Sequence, residues 1–108
     1  MVDKVAALAK KHKMNVVLPV HETRASDGGR QYNSAVVINR EGRVVGHYSK
    51  VMPVFGNTSQ TVPPTQHGAG ETVAPDNVTP SSQGVKVFDL DFGRIAVLIC
   101  YDINFIEL

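Results

Sequence analysis

Residues 93–105 read GRIAVLICYDINF, and the end of this stretch decides how the fold is interpreted. The run 95–99 is apolar at every position, which is typical of a strand covered on both faces of its sheet. The run ends at Cys100, the only cysteine of the chain, and Tyr101 and Asp102 follow directly. A single thiol at the last position of a buried strand calls for an explanation.

Length and composition favour one modest globular domain. The chain has 108 residues, of which 43% are hydrophobic and 19% are charged. Eleven Lys and Arg against ten Asp and Glu leave a formal net charge of +1. This balance gives no electrostatic reason to expect binding to nucleic acid or to an anionic membrane.

Cysteine and hydropathy patterns exclude further classes. No apolar run approaches the roughly 18 residues that a membrane span needs. One cysteine cannot form an internal disulfide, and the sequence has no CxxC or CxxH spacing for zinc. We therefore expect no metal site, no membrane insertion and a reducing, cytoplasmic setting.

The first half of the chain predicts a helix followed by strands. Apolar residues at three-to-four spacing predict a helix over 3–13, with Asp3 as its cap. A β-branched run predicts a strand over 15–20, in which Pro19 marks either the end or a sheet edge. Two further strands are predicted as a hairpin, 34–39 and 43–49, with a turn between them that contains Gly42.

The second half predicts a long loop and a second hairpin. Residues 51–83 hold five of the six prolines, which predicts a loop that is either functional or disordered. Strands are predicted over 85–90 and 94–99, and a helix is predicted to begin near Asn104. One short helix is too little cover for such a sheet, so we expect an α/β domain that is incomplete within residues 1–108.

Cys100 is the first candidate site residue. A turn at the carboxyl end of a strand is where open α/β sheets gather ligands, and a sharp strand-to-helix turn displays a nucleophile. The alternative is a cysteine that packs as a small hydrophobe. A thiol needs a base or a cation to become reactive, and His21, His47 and His67 are all possible partners that the spacing does not separate.

Lys50 is the second candidate. It closes the predicted strand 43–49 just where the chain enters the long loop, so it also lies at the end of a strand. The alternative is a solvated surface charge, which is the usual state of a lysine.

Three segments resemble the carbon–nitrogen hydrolase, or nitrilase, superfamily. Residues 32–50, YNSAVVINREGRVVGHYSK, are similar to the family's hairpin that ends in its catalytic lysine. Residues 70–75, GETVAP, provide Glu71 in a loop where family members carry a glutamate. Residues 87–102, VFDLDFGRIAVLICYD, are similar to the strand and elbow that carry the family's cysteine. The resemblance covers nearly the whole chain in the family's order.

The resemblance implies a four-layer α-β-β-α sandwich and a Glu-Lys-Cys triad. Cys100 would be the nucleophile. Lys50 would stabilise the oxyanion together with the backbone N–H of Tyr101. Glu71 would match a second glutamate near the lysine, although an ordinary loop carboxylate is an equal alternative. The family's general-base glutamate ends a strand upstream of the segment that 15–20 resembles, so it has no counterpart here.

Glu22 is not a substitute for that base, because its position matches the end of the following strand. We thus interpret residues 1–108 as a partial carbon–nitrogen hydrolase domain, lacking the strand that bears the glutamate and the C-terminal part. The resemblance implies cleavage of non-peptide C–N bonds in a small amide, carbamoyl or nitrile substrate through a Cys100 thioester. It implies no cofactor, and homo-oligomers for the full-length form.

Two other classes of function remain open. The isolated chain lacks the general base, so we expect it to be inactive, and a non-catalytic remnant that binds a partner through open sheet edges is the alternative. A thiol-based redox protein is the third hypothesis, although the chain has no second cysteine to resolve an oxidised Cys100.

Overall fold

The computed structural model describes residues 1–53, 60–61, 72–73 and 78–105, with the backbone alone at 60–61 and 72–73. Helix α1 spans Val2–His12. The strands are β1 Val16–Arg24, β2 Arg30–Ile38, β3 Val44–Ser49, β4 Gln60–Thr61, β5 Thr72–Val73, β6 Val87–Leu90 and β7 Gly93–Ala96. Short 3₁₀ turns cover Ala25–Asp27 and Cys100–Asn104.

Helix α1 confirms the predicted helix but not its cap. Met1 precedes the helix, and within the described residues its side chain makes no capping hydrogen bond. Asp3 lies inside the first turn, where its charge complements the helix dipole, so the prediction that it caps the helix is wrong. The helix ends at Lys13 in the left-handed conformation, and the N–H of Met14 donates to the carbonyl of Ala9.

Strands β1, β2 and β3 form an antiparallel sheet in that order. The prediction that β1 ends near Pro19 is wrong, because its ladder with β2 continues to the pair Arg24↔Arg30. Gly28 and Gly29 adopt φ of 66° and 75°, so the chain reverses within a few residues and the ladder extends to the turn. The alternative that Pro19 marks an edge strand is confirmed, since β1 is at the edge of the described sheet.

Helix and hairpin lie on opposite faces of this sheet. Val36, on one face, borders a cleft with Met1 at the start of α1. Val37 and Tyr48, on the other face, are fully buried and pack with Phe88 of the β6–β7 hairpin. The described elements therefore stack as helix, sheet and hairpin, in agreement with an α/β fold.

The β6–β7 hairpin is shorter than predicted. Strand β7 ends at Ala96 because its ladder with β6 ends at the pair Val87↔Ala96, so the predicted strand 94–99 is too long. Val97 and Ile99 pack against the core cluster, whereas Leu98 is 44% exposed. Within the described residues the apolar run is thus covered on one face only, which agrees with the expectation that one short helix is too little cover for such a sheet.

The predicted helix near Asn104 is also different in the structure. A 3₁₀ turn begins at Cys100 and ends at Asn104, so Asn104 closes a turn instead of opening a helix. Residues 106–108, where the predicted helix would continue, lie outside the described part of the chain.

Gly46 allows the hairpin to approach β3, which gives a first prediction. A Cβ at Gly46 would lie 2.8 Å from Cε1 of Phe88, whose side chain is buried and cannot swing into solvent. We expect Gly46→Ala to lower the free energy of unfolding by about 1–3 kcal/mol, as overpacking does. Chemical denaturation would measure this cost.

Phe88→Leu provides the control for this prediction. The smaller side chain removes the clashing ring atoms, so Gly46→Ala should cost less in the Phe88→Leu background than in the unchanged chain. Equal costs in the two backgrounds would show that the ring does not restrict position 46.

Candidate active site

Cys100 lies at a sharp turn and its side chain is exposed. Ile99 is extended, with φ −113° and ψ 108°, and Cys100 then adopts φ 50° as the first residue of the 3₁₀ turn. A non-glycine residue in the left-handed region costs roughly 1–2 kcal/mol. The alternative of a buried packing cysteine does not fit this geometry, because the turn presents the thiol to solvent at the expense of backbone strain.

The side chain of Asp102 stabilises this turn by hydrogen bonds. Its carboxylate is fully buried. Oδ2 accepts hydrogen bonds from the backbone N–H of Ile99 at 2.9 Å and from the hydroxyl of Tyr48 at 2.6 Å. Oδ1 accepts from the backbone N–H of Met52 at 2.8 Å. The carboxylate therefore joins the residue before Cys100 to the segment that leaves β3.

Lys50 belongs to that same segment. It follows the last residue of β3 and is only 1% exposed, so the alternative of a solvated surface charge is wrong. Its backbone is held on both sides: its N–H donates to the carbonyl of Asn33 at 2.8 Å, and its carbonyl accepts from the N–H of Ser81 at 2.9 Å. The sheet thus fixes where the lysine side chain begins.

Tyr48 stays a hydrogen-bond donor to Asp102. Burial, above all, and the adjacent Asp102 carboxylate raise the pKa of the Tyr48 hydroxyl well above its usual range. The phenol is therefore neutral at any physiological pH. Its oxygen also accepts a hydrogen bond at 3.3 Å from the backbone N–H of Val51, the residue directly after Lys50.

The remaining predicted site residues have different outcomes. Tyr101 directly follows Cys100, and its half-buried ring packs edge-on against Phe105 with centroids 5.3 Å apart. Glu71 lies outside the described residues, so its assignment stays a prediction. His67 also lies outside them. His47 borders the cleft on the helix side of the sheet, opposite the face on which Tyr48 meets Asp102.

Glu22 belongs to a separate polar cluster on that helix side. Both of its carboxylate oxygens accept hydrogen bonds from Arg24 at 2.8 Å, and Oε2 also accepts from Ser34 at 3.0 Å. The hydrogen bond from Arg24 is the main cause of a lowered Glu22 pKa, against a smaller effect of burial. A carboxylate stabilised in its charged form is a poor proton acceptor, which agrees with leaving Glu22 out of the catalytic assignment.

Sequence reasoning missed Tyr48 and Asp102. Each lies two positions from an assigned residue, Tyr48 before Lys50 and Asp102 after Cys100. The available signal was a carboxylate only three residues after the all-apolar run 95–99, because such a group needs partners supplied by the protein when it is buried. In the described residues, no group of three or more His, Cys, Asp or Glu side chains is arranged to hold a metal ion.

Comparison with known proteins identifies the family. The sequence pattern of the carbon–nitrogen hydrolase family matches residues 1–108. The chain is 34% identical over 95 residues to the β-ureidopropionase of Arabidopsis thaliana, and 32% identical over 91 residues to the citrullinase of Francisella tularensis. These matches cover 87% and 84% of this chain but 20% and 27% of the two relatives.

Solved structures show the same fold. A carbon–nitrogen hydrolase from Helicobacter pylori G27 matches with a TM-score of 0.63 and 24% identity, over 91% of this chain and 28% of that protein. The NitFhit protein of C. elegans matches with a TM-score of 0.66 and 23% identity, over 96% and 24% respectively. The chain belongs to the carbon–nitrogen hydrolase family, within the nitrilase superfamily. It spans about a quarter of the length of these relatives.

In the portion of the chain that the structure describes, no helix has both the length and the apolar character needed to cross a bilayer.

The left-handed conformation of Cys100 gives a second prediction. We expect Cys100→Gly to unfold with a free energy about 1 kcal/mol higher than Cys100→Ala, because glycine occupies φ 50° without the strain that a Cβ causes. Both variants lose the thiol, so the difference between them isolates the backbone effect. If the free energy of unfolding of Cys100→Ala equals or exceeds that of Cys100→Gly, the turn is not strained at this position.

The Glu22 pair gives a third prediction. Because folding lowers the pKa of Glu22 below its ordinary value of 4.5, the ionised group contributes stability above that pH and loses it as the pH falls through the folded value. Glu22→Gln lacks this contribution. Its deficit in free energy of unfolding should therefore shrink on acidification below pH 4.5, as measured by denaturation between about pH 2.5 and pH 7.

If the free energies of unfolding of the unmodified protein and of Glu22→Gln differ by a constant amount over this pH range, the prediction is wrong. Glu41→Gln, at an exposed glutamate in the turn between β2 and β3, is the matched control for the loss of one carboxylate.

Proposed function

We propose that the protein hydrolyses a non-peptide C–N bond of a small amide, carbamoyl or nitrile compound, with Cys100 as the nucleophile. The observation that carries the proposal is the exposed thiol at a strained turn, in a chain that belongs to the carbon–nitrogen hydrolase family. The two curated relatives named above are called β-ureidopropionase and citrullinase, which supports a C–N hydrolase and places ureido compounds among the first substrates to test.

The first half of the reaction forms a thioester. For an amide substrate, the thiol proton passes to a general base, and the Cys100 sulfur attacks the carbonyl carbon. The C–N bond then breaks, the nitrogen takes a proton, and the amine leaves. The resemblance assigns the general base to a glutamate upstream of the segment that β1 occupies.

Lys50 stabilises the tetrahedral intermediate in this proposal. Negative charge develops on the former carbonyl oxygen, and a cation and N–H donors held in place beforehand lower its energy without reorganisation. Lys50 provides the ammonium group and the backbone N–H of Tyr101 a second donor. The burial of Lys50 supports this role, since electrostatic stabilisation is stronger where water is excluded.

The second half of the reaction releases the acid. Water, activated by the same general base, attacks the thioester carbon, and the Cys100 sulfur leaves as the thiol. Glu71 would position Lys50 or the substrate, as the resemblance implies. The stacked helix, sheet and hairpin support a part of the four-layer α-β-β-α sandwich, which we propose for the complete domain.

Turnover by the protein at its full native length tests the proposal and is the fourth prediction. The assay is a panel of ureido acids, primary amides and nitriles, with release of ammonia or amine as the readout. We expect Cys100→Ser to reduce kcat on the order of 1,000-fold or more, and Lys50→Gln on the order of 100- to 1,000-fold. Rapid quenching and intact-mass measurement should detect an acyl group on Cys100 in the unmodified enzyme.

Lys4→Gln is the matched control, because Lys4 is an exposed residue of α1 far along the chain from the site. Near-normal turnover by Cys100→Ser would overturn the proposal. A folded native-length protein that turns over no compound of the panel would favour the non-catalytic, partner-binding alternative.

A further inference from the structure

We propose that Asp102 is a positioning residue that sets the thiol of Cys100 in register with Lys50. The inference rests on the proposed function, in which those two residues share a reaction. It concerns a buried carboxylate that the mechanism above does not use. Asp102 acts through the groups it holds, which are two backbone N–H groups and the hydroxyl of Tyr48.

The two oxygens of the Asp102 carboxylate accept hydrogen bonds from different segments of the chain. Oδ2 accepts the N–H of Ile99, the residue directly before Cys100. Oδ1 accepts the N–H of Met52, two residues after Lys50. One rigid, planar group therefore bridges two segments that lie 50 positions apart in the sequence. A displacement of either segment relative to the other must break one of these hydrogen bonds.

Tyr48 links Asp102 to the chain before Lys50 as well. Its hydroxyl donates to Oδ2 of Asp102 at 2.6 Å, and Tyr48 lies two residues before Lys50. The chain is thus held to Asp102 both before and after the lysine. Because β3 fixes the direction of the backbone through Ser49, the start of the lysine side chain has little freedom relative to the carboxylate.

The turn around Cys100 is closed by the same residue. The N–H of Asp102 donates to the carbonyl of Ile99 at 3.2 Å, and its carbonyl accepts from the N–H of Phe105 at 3.1 Å. The side-chain hydrogen bond from the N–H of Ile99 matches one half of a capping box, in which the N3 side chain accepts from the N-cap N–H. The hydrogen bonds oppose the strain of the left-handed Cys100, which would otherwise relax and move the thiol.

Asparagine is the informative substitution at this position. It has the shape of aspartate but one oxygen and one NH₂ group in place of two oxygens. If the oxygen faces Met52, the NH₂ group meets the N–H of Ile99. If it faces Ile99, the NH₂ group meets the N–H of Met52. Either orientation places two donors against each other, so Asp102→Asn must break one of the two backbone links.

Turnover is the first readout of the test, with the compound of the panel that the unmodified enzyme cleaves fastest. We expect Asp102→Asn at full native length to lower kcat on the order of 100-fold, the size of effect that misplacement by about 1 Å produces, with a much smaller change in KM. Tyr48→Phe keeps both backbone links and should lose much less kcat. The control Asp89→Asn changes an exposed carboxylate paired with Arg94 and should leave kcat unchanged.

Alkylation of the thiol is the second readout, and it needs no substrate. Mass spectrometry of the peptide that contains Cys100, the only cysteine of residues 1–108, follows its modification by iodoacetamide separately from any other thiol. In the proposed function the sulfur lies beside the Lys50 cation, and a thiol displaced from that cation reacts more slowly with an alkylating agent. We expect alkylation to slow severalfold in Asp102→Asn and to stay unchanged in Asp89→Asn.

The outcomes separate this inference from the proposed function. If Cys100→Ser abolishes turnover while Asp102→Asn keeps normal kcat and normal alkylation, the positioning role is wrong and the proposed function stands. If Cys100→Ser retains turnover, the proposed function fails, and the alkylation rates alone decide the positioning role. The folded fraction of each variant is measured beside its activity. If kcat per mole of folded protein is normal in both Asp102→Asn and Tyr48→Phe, Asp102 has only a structural role and the inference is overturned.

Discussion

This structure depends on the hydrogen bonds that the chain supplies to one buried carboxylate. Asp102 is fully buried, and a buried charge is tolerated only where the chain supplies hydrogen bonds to it. The donors come from the end of β3 and from the turn after β7. Apolar packing alone would not fix the position of these two parts of the chain relative to each other. The apolar contact between Phe88 and Tyr48 brings the hairpin onto the sheet, and the carboxylate then determines its registry.

The two faces of the central sheet separate two polar networks. On the hairpin side, Tyr48 and Asp102 join the segments that carry the assigned site residues. On the helix side, Glu22, Arg24 and Ser34 satisfy one another. The alternation of side chains along a strand places neighbouring residues on opposite faces, so His47 and Tyr48 lie on different faces although they are adjacent in sequence.

The candidate site residues Lys50 and Cys100 were selected from local signals in the sequence. Lys50 directly follows the predicted strand 43–49 and Cys100 ends an apolar run, so both were predicted at strand ends, although β7 itself ends at Ala96. Tyr48 and Asp102 were missed because their hydrogen bond joins positions 54 residues apart, which depends on how the hairpin lies on the sheet. The length of β1 was missed for a similar reason. Its end is determined by pairing with β2 and by the Gly28–Gly29 turn, and a propensity pattern within residues 15–20 does not contain that information.

The backbone at position 100 also restricts which nucleophiles this turn can present. Cysteine and serine have an unbranched Cβ, so either fits at φ 50° for a similar cost in strain. Threonine carries two heavy substituents on its Cβ, and a β-branched residue in the left-handed region is a conformational outlier. Replacement of Cys100 by threonine would therefore require the turn to be rebuilt, whereas exchange between cysteine and serine leaves the backbone unchanged.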